Sequence, residues 1–302
     1  MVYNVMKSEW GRVVKESLNL DHEKEVVLDL VRKVIDGRRH AIVSSVGLFR
    51  SVGRYFTQLV NSLTSVSAFY VEPHELTYYI APYDEGRELD ILIVSTPNGA
   101  NDLYVLLDQL TLTGHRVALI SEPLPEALKQ RFSWVERAEI SWGSMGLLKL
   151  LSLLAYTASS LSKQELQVRT KRIKEECLTL AEVADDLIER YDRELKAVRE
   201  ALSEPYLITY TPTLEPAAEL ASLALSKSVA IAVEVPISYL YVGKISSKVL
   251  AFTTDVEVYT VRYYFNKIVE KGGTISEVRL RTDPLTAPLY ALLLLYYVAA
   301  GN

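Results

Sequence analysis

Residues 90–102 read DILIVSTPNGAND. Ile91 to Val94 form a short apolar run, which breaks at Ser95, Thr96, Pro97, Asn98 and Gly99 before helical spacing resumes at about residue 101. A run of four to eight apolar residues that ends in turn formers and leads into a helix predicts a buried strand of a parallel sheet. In such a sheet, ligands bind beyond the carboxyl ends of the strands, where the amides of helix N-termini converge on an anion. Ser and Thr hydroxyls add uncharged donors, so the loop suits a phosphate monoester. The same residues are also ordinary helix N-caps, and the loop alone leaves both readings open.

The pattern repeats along the chain. Residues 3–36 predict two helices, with Val26, Val27, Leu30 and Val34 at three- and four-residue spacing. HAIVSSVG, SVSAFYVE, DILIVS, HRVALIS and VERAEI then predict five strands, with helices between them. Residues 144–202 carry no strand signal, no proline and dense charge, which predicts a long helical stretch. YLITYT, SVAIAVEV, KVLAFTT and TISEVRL predict four further strands, separated by helices at about 215–227 and 256–270 and closed by one at 285–300. Strands that alternate with helices define an α/β fold with mostly parallel sheets between helical layers. The second half repeats the architecture of the first. The expected organisation is a first domain over 1–160 with N-terminal helices, a helical connector over 161–203, and a second domain over 204–302.

Composition narrows the function. The 302 residues are 49% hydrophobic and 24% charged, as in a globular protein, and the formal net charge is -5. That balance argues against a nucleic-acid surface, and GRRH at 37–40 and RTKR at 169–172 are too short to supply one. Cys177 is the only cysteine, and the four histidines His22, His40, His74 and His115 lie far apart, so no metal site is expected. The N-terminus has no apolar core of a signal peptide, and the longest apolar run, 287–300, is shorter than the roughly 20 residues that span a bilayer. A cytoplasmic protein with no membrane contact is expected. Nucleotide fingerprints are absent too: Gly47 and Gly53 do not form GxGxxG, and no GxxxxGK[ST] occurs, so no nucleotide cofactor is expected.

Several stretches together resemble the SIS (sugar isomerase) domain proteins. The similarity is to the double-domain form found in the isomerase half of glucosamine-6-phosphate synthase and in archaeal phosphoglucose/phosphomannose isomerases. DILIVSTPNGAND resembles the family's strand followed by S-x-S-G-x-T-x-[DE]; HELTYY at 74–79 resembles a short segment upstream of it. AEISWGSMGLLKLLSLLAY at 138–156 is similar to the E-I-x-V-A-S-T-K run, and DPLTAPLYALLLLYYVAAGN to the closing helix of the second domain. The resemblance implies two SIS-type three-layer αβα domains, a homodimer, and a phosphorylated sugar as ligand. Its phosphate-binding positions fall on Ser95, Thr96, Ser144, Gly47 and Ser51.

Departures from the pattern qualify the activity that it implies, aldose-ketose isomerisation. Pro97, Asn98 and Ala100 stand where the family has serine, glycine and threonine, and Phe49 stands where its first loop has a phosphate-binding serine. In the second domain Ser226 or Lys227 occupies the place of the catalytic glutamate and Val242 that of the histidine. Moving a proton between adjacent carbons needs a positioned base and a second group for ring opening. Glu234, Lys227 and Tyr239 are the weak catalytic candidates in that segment. The expectation is a phosphosugar-binding, isomerase-like protein with eroded catalytic positions; a sensor or a dimerisation scaffold is the alternative.

Overall fold

The computed structural model describes residues 2–84, 90–203, 206–226, 233–238 and 248–300. By internal contact it divides into two compact units, Ser17–Leu178 and Met1–Glu16 with Thr179–Asn302.

The unit Ser17–Leu178 begins with α2 (Glu23–Ile35); α1 (Val2–Ser17) lies almost wholly in the other unit. Then follow β1 (His40–Val46), α3 (Ser51–Leu63), β2 (Ser67–Tyr70) and a helical turn α4 (Pro73–Glu75) that continues as a π turn to Ile80. β3 (Asp90–Ser95), α5 (Ala100–Thr113), β4 (Arg116–Ser121), α6 (Glu126–Arg131), β5 (Glu136–Glu139) and α7 (Gly146–Ser160) complete the layers. All five expected strands are present, parallel, in the order β2-β1-β3-β4-β5. The central strand β3 is buried along Asp90–Val94, which is why its sequence reads as a nearly unbroken apolar run. Its Ile91 and Ile93 pack against Leu103, Leu106, Leu107 and Leu110 of α5, four residues at helical spacing that meet one face of the sheet. On the other face α2 and α3 pack against α7, in which every residue from Gly146 to Ala155 is buried.

The second unit is built the same way. α8 (Gln167–Arg190) passes into it, followed by α9 (Asp192–Ser203), β6 (Leu207–Tyr210), α10 (Glu215–Ser226), β7 (Val233–Pro236), β8 (Lys248–Thr254), α11 (Val258–Glu270), β9 (Thr274–Leu280) and α12 (Ala287–Ala300). The strands are parallel in the order β7-β6-β8-β9. With β6 counted as the first strand, this repeats the order of the first sheet through four strands. SVAIAVEV contributes β7 only from Val233; its first residues lie outside the described ones.

These units are drawn differently from the sequence bounds. α1 packs with the C-terminal elements because its buried Trp10 meets the ring of Tyr297 edge-on at 5.4 Å and the Gly11 amide donates to Asp185 Oδ1 at 3.2 Å. The division falls inside α8, at residues 178–179, rather than at either end of a connector. Among the described residues, no helix is long and apolar enough to cross a membrane.

Candidate functional site

In the first sheet the chain leaves β1 through α3 towards β2, and leaves β3 through α5 towards β4, in opposite directions across the sheet. The crossovers diverge between β1 and β3, and that switch point is where an open parallel sheet opens a crevice at the carboxyl ends of its strands. Two loops meet there, residues 47–50 and 96–99.

They are locked to each other by backbone geometry. The Leu48 amide donates to the Pro97 carbonyl at 2.9 Å, and the Thr96 amide donates to that of Val46 at 2.8 Å. Thr96, 3% exposed, donates its hydroxyl to the same Val46 carbonyl at 3.0 Å and accepts from the Phe49 amide at 3.1 Å. A glycine stands on each side of the contact. Gly47 has φ +102°, and a β-carbon there would collide with the Thr96 carbonyl oxygen; one on Gly99 would lie 2.8 Å from the Gly47 nitrogen. Both positions therefore exclude any side chain.

The apolar side of this junction is filled by an aromatic pair. Phe49 is buried and stacks on Trp142 with ring centroids 6.0 Å apart and 20° between planes. Trp142 belongs to the loop between β5 and α7, and its indole also lies against Gly146, where a β-carbon would meet it at 2.5 Å. That loop is held from below by a buried ion pair. Lys149, 7% exposed, pairs with Glu23 Oε2 at 2.5 Å and donates to Ser141 Oγ at 2.8 Å, while Glu23 Oε1 accepts from the Ser141 amide at 2.8 Å and hydroxyl at 3.0 Å.

The sequence-predicted residues fall into distinct settings. Gly47 and Thr96 meet in the interlock. Ser95 ends β3, half-buried, in register with Val46, and Ser51 is fully buried as the first residue of α3. Ser144 is exposed, and its hydroxyl lies 3.4 Å from that of Ser17. Glu234 sits in β7 in register with Ile208. Lys227 and Tyr239 lie outside the described residues.

Three neighbours of the site carried no sequence signal. The Ser45 hydroxyl donates to the Arg50 carbonyl at 2.6 Å and fixes the start of α3. Tyr70, beside it, is a half-buried phenol whose pKa its loss of solvent pushes well above the ordinary value. The Glu23–Lys149 pair joins residues more than a hundred positions apart, beyond the reach of any local pattern.

By chemistry, the groups at this end of β3 suited to an anion are the first turn of α5, the Ser95 hydroxyl and the Asn98 amide. Asn98 is the one non-glycine residue at positive φ (65°) among the described residues, in the left-handed region that asparagine tolerates. Asp102 already places a carboxylate in that first turn, which lowers its pull on a further anion. Among the described residues no group of three or more His, Cys, Asp or Glu side chains is arranged to hold a metal ion.

No protein-family model matches the chain, and no curated protein sequence matches it. Solved structures do. The C-terminal domain of glucosamine-fructose-6-phosphate aminotransferase from Francisella tularensis superposes with a TM-score of 0.68 at 13% identity, covering 93% of each chain. Tagatose-6-phosphate ketose/aldose isomerase from Escherichia coli gives 0.61 at 12% identity, over 99% of this chain and 93% of that one. Glucosamine-6-phosphate deaminase from Thermotoga maritima gives 0.62 at 13%, over 95% and 92%. The class that these matches define is the double-SIS α/β fold. The chain has that fold along nearly its whole length, at identities that speak to architecture alone.

Proposed function

We propose that this chain is a phosphosugar-binding protein, isomerase-like in architecture, that holds its ligand at the β1/β3 switch point and lacks aldose-ketose turnover. One observation carries the reading: a hydroxyl-bearing loop, Ser95–Gly99, ends the central strand at the switch point and feeds the N-terminus of α5. The proteins with this fold named above act, by their names, on six-carbon sugar phosphates. The phosphate is taken by the α5 first turn with Ser95 and Asn98, because Thr96 and the amides of Leu48 and Phe49 are already committed to the loop lock. Loss of turnover rests on the absence of a glutamate–histidine pair from the second half of the sequence. A homodimer, a cytoplasmic location and the lack of a cofactor belong to the same proposal.

A titration tests it. Glucose, fructose and glucosamine 6-phosphates are added to the parent and to Ser95→Asp while unfolding is followed by heat. Binding at a hundredfold excess over Kd stabilises by about 2.7 kcal/mol, and the introduced carboxylate abolishes the shift. No shift in the parent, or equal shifts in both proteins, overturns the binding site. In deuterated water the parent leaves C2 of the sugar unlabelled; label at C2 overturns the loss of turnover. A dead crevice in a scaffold is the second reading, favoured by the Phe49–Trp142 stack, and the lack of any shift would select it.

A further inference from the structure

β9, with seven residues, is the longest edge strand of either sheet, and among the described residues it pairs with β8 on one side only. Along its other side runs a groove of about 670 Å³, within the range of binding pockets. Ile275, Ser276 and Glu277 all line it. Successive strand residues point to opposite faces, so a groove lined by three in a row lies over the strand edge itself. One wall is α9, from Arg193, Glu194, Lys196, Ala197 and Glu200; the opposite wall is apolar, from the half-buried Phe265 and Ile275.

The charges along the groove are mixed, with Glu194 next to Arg193. Glu277 and Arg279, which guard the edge against non-specific pairing, are tied to each other at 2.6 and 2.9 Å. Lys196 is held by Asp192 at 2.7 Å. Arg193 and Arg281 are exposed, and their side chains have no partner among the described residues. They share one end of the groove, because the Arg281 amide donates to Tyr191 Oη at 2.8 Å and so brings the start of α9 to the end of β9. Glu200 lies about 10 Å further along the helix.

We propose that this groove takes an extended peptide segment, which adds to β9 as a further strand with a carboxylate between Arg193 and Arg281 and an aliphatic side chain against Phe265 and Ile275. Main-chain pairing supplies affinity, and the two arginines at one end supply direction. The carboxylate is that of an acidic side chain or of a chain terminus.

The test uses the full chain and fluorescent hexapeptides, read by anisotropy. Acetyl-Thr-Val-Thr-Val-Thr-Asp-amide represents the side-chain source, and the same peptide ending in Asn with a free carboxylate represents the terminus. Binding of either supports the proposal and identifies the source. The neutral Asn-amide peptide, a version N-methylated at alternate amides, and the Arg193→Gln/Arg281→Gln protein with the best peptide are each expected to bind at least tenfold more weakly. The proposal is overturned if neither carboxylate peptide binds, if the neutral or N-methylated peptide binds as well as its parent, or if the double variant binds like the parent protein. Self-association of the parent that Arg281→Gln abolishes would also overturn it, since the edge would then belong to a second copy.

Discussion

The two sheets share one topology, yet their switch points are furnished differently. Between β1 and β3, a threonine hydroxyl with two partners, two glycines and a stacked aromatic pair close the loops onto each other. Between β6 and β8, the ladder likewise runs on by one bond, from the Thr211 amide to the Phe252 carbonyl at 3.1 Å. There the resemblance ends. Thr211 is 3% exposed, and its hydroxyl has no hydrogen-bond partner among the described residues; the hydroxyl of Thr213 is in the same position. The acids Glu215 and Glu257 stand at the neighbouring helix starts, bonded to Tyr210 at 3.4 Å and Thr254 at 2.6 Å. Carboxylates there already complement the helix dipoles and repel a phosphate. Topology places a switch point in each sheet; the residues that follow the strands decide how it is furnished.

Lys149→Met should have the largest effect in the molecule. It leaves Glu23 buried without its cation, which costs about 3–5 kcal/mol, and adding Glu23→Gln should recover much of the loss; both are read from urea unfolding. Recovery by the second change would show that the pair locates the Trp142 loop more than it stabilises the fold.

Gly47→Ala should follow, at about 3 kcal/mol, since it combines left-handed strain with a backbone collision. Its control is Gly272→Ala in the other unit. Gly272 has φ +85° with nothing within 4 Å of an added β-carbon, so only the strain of about 1 kcal/mol remains. Equal losses at both glycines would break the idea of an interlock.

Thr96→Val and Thr211→Val are the sharpest pair. The first leaves the Phe49 amide unsatisfied and should cost about 1–3 kcal/mol; the second removes a hydroxyl with no partner and should be neutral or slightly stabilising. A destabilised Thr211→Val protein would mean that a bound water or ligand uses that hydroxyl.

The smallest effect concerns pH. Bonds from Lys33 and Arg116 hold the Glu136 carboxyl below its ordinary range. The folded-state pKa is depressed, so the stabilisation is complete above the unfolded value of about 4.3 and fades as pH falls below it. Glu136→Gln should flatten the acid side of a stability profile by lowering stability slightly at neutral pH and leaving the lowest pH unchanged; the loss is small because the group is partly solvated.

Strand positions were legible because a buried parallel strand has no reason to alternate: Ile91 to Val94 meet helices on both faces and are apolar throughout. The site was legible only as chemistry. Sequence placed Thr96 among hydroxyl donors, but whether its hydroxyl points outward to a ligand or inward to Val46 and Phe49 depends on a loop fifty residues earlier. Phe49 could be recognised as a departure from serine, whereas its stacking on Trp142 joins distant loops and leaves no periodic trace. The Trp10–Tyr297 contact, which assigns α1 to the C-terminal unit, escaped for the same reason.

That contact has a consequence for synthesis. Residues 17–178 leave the ribosome as a continuous piece, whereas α1 emerges before them and finds Tyr297 only after the rest of the second unit has been made. At about 5–20 residues per second the delay after residue 178 is on the order of ten seconds. Throughout it, the apolar face of α1 that carries Trp10 and Val14 stays uncovered, a natural handle for a chaperone.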